Sequence, residues 1–398
     1  MKEAATPSTA ATPAPQVPYT LWQLLRYMLA LGSWGFGGPV ALVGYMYRDL
    51  VERRRWISES DYKEGMALAQ LMPGPLAAQL AIYLGYVHYR VLGATLVGLA
   101  FVLPSFAMVV AIGAVYRAWG GIAWMQAVFY GVGAAVIGII AMSAYKLTTK
   151  NIGKDRLLWA IFALSAAVTV VTKSEIVWIF LGAGLLVWLL RAPPKAWSRG
   201  TLPALAAPLA ASLFAVDEPG WHRLAQIGAY FAYAGSFVFG SGLAIVPFLY
   251  GGVVQQYHWL SERQFVDAVA VAMITPGPVV ITTGFIGYLV AGFWGAVVAA
   301  AGTFVPCYLF TILPAPYFKR HGKRPGIVAF VDGVTAAAIG AIAGAVIVIG
   351  QRSITDLTTA ALALVTVALL WRFKKLPEPL IVLAAALVGV ALSTTGLR

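Results

Sequence analysis

Long apolar runs, separated by short polar and mostly basic stretches, make up nearly the whole chain. They lie at about 21–46, 66–87, 92–116, 125–145, 157–172, 175–190, 202–216, 224–250, 266–290, 292–316, 326–349, 357–371 and 379–395. A helix needs about 20 apolar residues to cross a hydrocarbon core of about 30 Å, so several runs are long enough and a few are short. A membrane barrel would show alternating segments of about 10 residues instead, and lipid admits only helices or closed barrels. The pattern predicts an all-α integral membrane protein with about 10–13 membrane segments. Residues 1–20, rich in Ala, Thr and Pro, read as a disordered tail. They lack the basic-then-apolar order of a signal peptide.

The runs form two copies of one pattern. Gly32-Ser33-Trp34-Gly35-Phe36-Gly37-Gly38 aligns with Gly235-Ser236-Phe237-Val238-Phe239-Gly240-Ser241 at an offset of 203 positions. Trp56-Ile57-Ser58-Glu59 meets Trp259-Leu260-Ser261-Glu262, and Pro73-Gly74-Pro75 meets Pro276-Gly277-Pro278, at the same offset. After one deletion the offset is 202, and Gly85-Tyr86, Gly93-Ala94 and Pro104 meet Gly287-Tyr288, Gly295-Ala296 and Pro306. The chain therefore divides into an N-terminal repeat at 21–190, a linker at 191–223 that holds the 202–216 run, and a C-terminal repeat at 224–395.

Composition and charge sharpen the class. Hydrophobic residues make up 60% of the chain and charged ones 11%, too few to cover a water-soluble globule. The net charge of +13 sits in short clusters between apolar runs. That is the bias of cytoplasmic loops rather than a nucleic-acid surface. Arg48, Arg53, Arg54, Arg55 and Lys63 follow the first Gly-rich segment, where the second repeat has only Arg263 and His258. Conversely, Arg117 stands alone where the second repeat carries Lys319, Arg320, Lys323 and Arg324. Basic loops that alternate between equivalent positions predict repeats of opposite orientation, an inverted-topology architecture. If 21–46 and 224–250 each cross once, 202–216 need not cross. If both return to their starting side, 202–216 must cross and the N-terminus is inside.

The residues that bear chemistry are few. Cys307 is the single cysteine, and His88, His222, His258 and His321 are widely spaced, so disulfide, thiolate-metal and zinc-hydrolase readings fail. No phosphate-binding G-x-x-x-x-G-K-[ST] occurs. The reading is a non-enzyme with no cofactor. Pro73-Gly74-Pro75 and Pro276-Gly277-Pro278 interrupt apolar segments and predict two half-helices meeting at a break, with Pro75 and Pro278 as first helical residues. The heads of the second half-helices expose unpaired amides with a positive dipole end. These are Leu76, Ala77, Ala78 and Gln79 in one repeat, and Val279, Val280, Ile281 and Thr282 in the other. Two such ends aimed at the midplane make an anion site without a buried Lys or Arg. Gln70, Gln79, Thr275, Thr282 and Thr283 are candidate side-chain donors. The bland alternative is a kink packed beside its neighbours.

Phe36-Gly37-Gly38-Pro39 and Phe239-Gly240-Ser241-Gly242 allow an unwound, substrate-facing backbone, or close helix packing. Glu64 and Asp267 are equivalent acids at the start of the broken segments, candidates for a proton relay or for dipole-stabilised residues at an interface.

The Phe-Gly-Gly-Pro segment, the Arg53-Arg54-Arg55-Trp56 loop and the Pro-Gly-Pro break resemble the chromate ion transporter family in its long, two-domain form. The second-half copies, Phe239-Gly240-Ser241-Gly242 and Pro276-Gly277-Pro278, are similar to its C-terminal domain, with Gly242 standing where the first repeat has Pro39. The resemblance covers residues 20–395. It implies an inner-membrane secondary transporter that exports chromate and confers resistance, driven by membrane potential or proton gradient. Sulfate is the related oxyanion, and sulfate or other oxyanion uptake or exchange is the alternative. The implied partners are chromate and the bilayer, with no nucleic acid; a homo-oligomer stays open.

Overall fold

Thr20 and Gln23 cap each other's backbone and start α1 (Leu21–Trp34) of the first repeat. The computed structural model describes residues 19–36, 38–119, 123–172, 176–193, 219–240, 245–321, 324–354, 356–373 and 378–394. The 202–216 run and residues 1–18 lie outside them. After Gly35, α2 (Gly38–Met46) runs on into a π-helical stretch, Tyr47–Arg53. Ser58 accepts from the Asp61 amide and caps α3 (Glu59–Leu71). A two-residue strand, β1 (Gly74–Pro75), leads into α4 (Leu76–Trp119). Arg90, with φ 52°, divides α4 into limbs 76–89 and 91–119.

The first repeat folds back on itself twice. Tyr19 is buried, stacks on Trp56 with ring centroids 5.1 Å apart, and shares a hydrogen bond with His88 Nδ1 at 2.8 Å. Tyr89 donates to the Tyr19 carbonyl at 2.6 Å. The start of α1, the loop after α2 and the far end of limb 76–89 therefore gather at one end of the molecule. Gly65 of α3 lies so close to the Tyr83 ring that a Cβ there would collide. Thus α1–α2 and α3–limb 76–89 are two helical hairpins, with tips at the glycine break and at Pro73–Pro75. Tyr19, placed in the tail by its composition, belongs to the packed structure because its ring fills the space between Trp56 and His88.

Next come α5 (Ala123–Asn151), α6 (Arg156–Thr172) and α7 (Val177–Arg191). The second repeat follows the same plan: α8 (Pro219–Gly235), β2 (Phe239–Gly240), α9 (Ile245–Tyr250), a π-helical stretch at Gly251–Gln256, and α10 (Glu262–Ile274). Ser261 and Gln264 form a complete capping box on α10. A 3₁₀ turn, Val279–Ile281, precedes α11 (Thr282–Ile312), which is bent at Ala291 and Gly292. The chain ends with α12 (Ala315–His321), α13 (Pro325–Ser353), α14 (Leu357–Arg372) and α15 (Glu378–Thr394).

The outer limbs of α4 and α11 pack antiparallel. Thr95 bonds Tyr308 at 2.6 Å, Gly113 lies against the Tyr288 ring, and Gly292 sits beside Arg117. The turn at Arg90 and the turn at Gly292 are therefore at opposite ends of the molecule, and the two pairs of hairpins open in opposite directions. The long helix α5 starts near Arg263, which donates to the Gln126 carbonyl, and ends at the Tyr19 end. Arg48, Arg53, Arg54 and Arg55 adjoin Trp56 in the chain and Arg90 follows Tyr89, so these basic residues lie at that end. Arg191 makes ion pairs to Asp155 and Asp332. Arg117, beside Gly292, and Arg263, bonded to Gln126, lie at the other.

The repeats share their cores. The α6–α7 pair packs on α13 of the other repeat, with Ser165 donating to the Ala337 carbonyl at 2.7 Å. The α14–α15 pair packs on α5, where Gly131 and Gly389 leave no room for a Cβ. One apolar cluster mixes Val132–Met142 with Ile227–Ala300, and another joins Leu24–Phe101 to Cys307 and Phe318. Among the described residues, four stretches are long and apolar enough to cross a membrane: Leu76–Trp119, Gln126–Thr149, Val279–Phe318 and Pro325–Gln351. The four helices α6, α7, α14 and α15 are apolar but shorter.

Candidate functional site at the crossed hairpin tips

Each Pro-Gly-Pro break meets the glycine break of the other repeat. Gly74 donates its amide to the Val238 carbonyl at 2.5 Å, and β1 pairs in parallel with β2, Gly74 opposite Phe239 and Pro75 opposite Gly240. Gly277 donates to the Gly35 carbonyl at 3.0 Å. Gly35 and Val238 occupy equivalent positions of the repeat, as do Gly74 and Gly277, so the two bonds are one contact made twice. Glycine is required at both donors. Gly74 has φ 143° and Gly277 φ 94°, in the region that side chains disfavour. A Cβ on Gly74 would collide with the Gln79 carboxamide, and one on Gly277 with Ser105 Oγ.

The Pro-Gly-Pro segments end one half-helix and begin another, as their composition predicts. The first helical residues are Leu76 and Val279, one place later than expected, because Pro75 pairs with β2 and Pro278 caps the 3₁₀ turn. The two heads differ. Leu76, Ala77, Ala78 and Gln79 are buried in the opening turn of α4, in positions whose amides a helix cannot satisfy from within. In the second repeat the tighter turn uses two of the four: Ile281 donates to Pro278 at 3.0 Å, and Thr282 to Val279 and Val280. Val279 and Val280 head that turn.

The side chains differ too. Gln79 is fully buried and its Nε2 donates to the Pro73 carbonyl at 2.7 Å. Thr275, Thr282 and Thr283, expected as donors, direct their hydroxyl protons to the carbonyls of Val271, Val279 and Val280 on their own helix. An apolar surrounding offers the hydroxyls no nearer acceptor. Pro276 and Gly277 are buried, whereas Gln70 and Phe36 are exposed beside the first break and Pro39 is half-buried. Gly38 opens α2. Gly37, Ser241 and Gly242 lie outside the described residues.

The paired acids keep their equivalence in part. Asp267 is buried and accepts from the Tyr116 hydroxyl at 2.7 Å, a bond between repeats. Glu64 is half-buried and bonded to Tyr83 of its own hairpin. Tyr83 corresponds to Phe285, which has no hydroxyl, so Tyr116 supplies the donor from outside, its ring 5.7 Å from Phe285. Sequence reasoning passed over Ser105, which donates to the Gly32 carbonyl at 3.2 Å and abuts Gly277. Its signal was a lone hydroxyl one residue after Pro104, deep in an apolar run. Among the described residues no group of His, Cys, Asp or Glu is placed to hold a metal ion.

These features define a multi-pass helical membrane protein built from two homologous repeats whose backbone breaks meet in the interior. The chromate transporter family matches it over residues 22–188 and 225–390, and the chain belongs to that family. It is 69% identical to a chromate transport protein of Cupriavidus metallidurans, over 96% of both chains. It is 62% identical to a probable chromate transport protein of Synechococcus elongatus, over 94% of this chain and 95% of that one. A chromate transport protein of Pseudomonas aeruginosa is 32% identical over 96% of this chain and 94% of its own length. No solved structure matches.

Proposed function

We propose that this chain is a secondary transporter that expels chromate from the cytoplasm, with resistance to chromate as the result. The oxyanion binds where the hairpin tips cross. The observation that supports this reading is the doubled contact, Gly74 to Val238 and Gly277 to Gly35, in which each Pro-Gly-Pro break meets the glycine break of the other repeat. Helix heads offer amides and a positive dipole end to an anion without the cost of a buried cation. The names of the three relatives support chromate as the cargo.

The opposed hairpins support an inverted-topology repeat in the inner membrane, with one pair of hairpins facing each side. The end rich in Arg and Lys is then cytoplasmic, and the N-terminus with it. The driving force is the membrane potential or the proton gradient. One charge moved through 100 mV is worth about 2.3 kcal/mol, so a doubly charged anion leaving a negative interior gains about twice that. Glu64 and Asp267 are the groups available for a proton relay.

The test is radiolabelled chromate flux in everted vesicles under an imposed potential. Uptake into the vesicles that follows the potential without ATP supports export. Flux that needs ATP, or that survives disruption of both Pro-Gly-Pro segments, sinks it. Equal transport of sulfate, in the reverse direction, moves the assignment to oxyanion uptake or exchange.

A further inference from the structure

The two equivalent acids draw their hydroxyl partners from opposite sides of the repeat boundary. Glu64 is bonded to Tyr83, and the Tyr83 ring lies against Gly65, so acid and donor belong to one hairpin. Asp267 accepts from the Tyr116 hydroxyl at 2.7 Å, and Tyr116 belongs to the other repeat. At the offset of 202 positions Tyr83 corresponds to Phe285 and Tyr116 to Phe318. Both phenylalanines are buried, Phe318 in the cluster that holds Leu68 of α3. Glu64 therefore receives no hydroxyl across the boundary from Phe318, and Asp267 receives none from Phe285 in its own hairpin.

A proton can bias two conformations only if it binds them unequally. When one repeat moves against the other, Glu64 and Tyr83 travel together and keep their bond. Asp267 and Tyr116 part. The Asp267 carboxyl is 3% exposed, and among the described residues Tyr116 is its one side-chain hydrogen-bond donor, although a carboxylate has room for about four. Parting exchanges an apolar core and a tyrosine hydroxyl for water, so the affinity of this carboxyl for a proton differs between the two arrangements. Resting on the reading of this chain as a transporter that a proton gradient can drive, we propose that Asp267 alone is its proton-coupling residue. Tyr116 is the positioning residue that links the proton on Asp267 to the closing of the repeats. The charged and titrating groups that face Asp267 are Arg263, one turn back on α10, and Tyr116 on α4. Tyr130 on α5 is bonded to Asp356, and Tyr250 on α9 to Glu262. The helices α11 and α15, also packed on α10, carry no Asp, Glu, Lys, Arg or His except Glu378, the first residue of α15.

The test is accumulation of radiolabelled chromate in everted vesicles holding the full-length protein. It is driven by a potassium-diffusion potential or by an acid interior, one at a time. With one proton exchanged per chromate, each pH unit raises wild-type accumulation about tenfold. Asp267→Asn keeps the response to the potential and loses that factor, whereas Glu64→Gln keeps the factor whatever happens to its rate. Tyr116→Phe moves the pH of half-maximal gradient-driven flux, and Tyr83→Phe does not. An Asp267→Asn protein that still gains from the pH gradient, or a Glu64→Gln protein that does not, overturns the inference. Equal shifts in the two tyrosine variants overturn it even if Asp267→Asn fails to fold. Wild-type accumulation that follows the potential but ignores the pH gradient also overturns it, and leaves potential-driven export standing. No accumulation under either drive sinks the export reading itself.

Discussion

The Gly277 amide donates to the carbonyl of Gly35, 3.0 Å away in the other hairpin and on the other repeat. The same bond joins Gly74 to Val238. Neither break can close its own hydrogen bonds, since a proline on each side removes a donor and forbids helical continuation. Each is completed by the opposite repeat. Movement of one pair of hairpins against the other would break both bonds.

Gly277→Ala places a methyl group against Ser105 Oγ and forces a side chain onto a backbone with φ 94°. The expected cost is about 1–3 kcal/mol of stability, read as a lowered midpoint of thermal unfolding in detergent, with chromate flux reduced in parallel. Adding Ser105→Gly removes the collision but not the backbone strain, so rescue is partial. Full rescue places the whole cost in the collision; no rescue places it in the backbone.

Val91 and Phe293 are exposed next to the Arg90 and Gly292 turns, at opposite ends of the molecule. In a Cys307→Ser background, Val91→Cys reacts with a membrane-impermeant maleimide in everted vesicles only. Phe293→Cys reacts in intact cells only. Labelling of both from the same side rules out repeats of opposite orientation.

Tyr116 is the donor that Asp267 has from outside its own repeat. Tyr116→Phe leaves a buried carboxylate short of one hydrogen bond, an expected loss of about 1–3 kcal/mol. Asp267→Asn keeps a partner for the hydroxyl and is milder in stability. If Asp267 relays protons, its flux loses the dependence on an imposed pH gradient; if the acid only anchors Tyr116, the gradient dependence is that of the wild type.

Asp356 caps α14 by accepting from the Thr359 amide at 2.7 Å, and also accepts from the Tyr130 hydroxyl at 2.7 Å. The backbone bond from Thr359 is the main reason its carboxyl is held below the usual range. A lowered value in the folded state means stability that is present above the unfolded pKa of about 3.9 and is lost as pH falls through the folded one. Asp356→Ala should cost about 1 kcal/mol at neutral pH, and the difference from wild type should shrink as the acid protonates.

Much of this was legible in the residues. The aligned Pro-Gly-Pro and Phe-Gly segments announced two repeats and the places where their helices break. Local signals of this kind survive because proline and glycine act on the backbone within a turn of themselves. The uneven distribution of Arg and Lys is the sequence signal on which the proposal of oppositely oriented repeats rests.

What each break pairs with, and which way each hairpin runs, followed from packing alone. Apolarity says that a segment lies in lipid but not whether it crosses or returns. Tyr19 on Trp56 and Gly65 on Tyr83 fold the first repeat back on itself, through contacts between residues far apart in the chain. The same holds for the inequality of the two α-helix heads. Matching tripeptides predicted matching sites, yet the second repeat opens with a 3₁₀ turn at Val279–Ile281 and commits its Thr282 and Thr283 hydroxyls there, whereas the first opens directly as α4 and leaves the buried Gln79 Oε1 without a hydrogen-bond partner. Hydrogen-bond satisfaction is a property of the whole neighbourhood, so no pattern along the chain could have shown it.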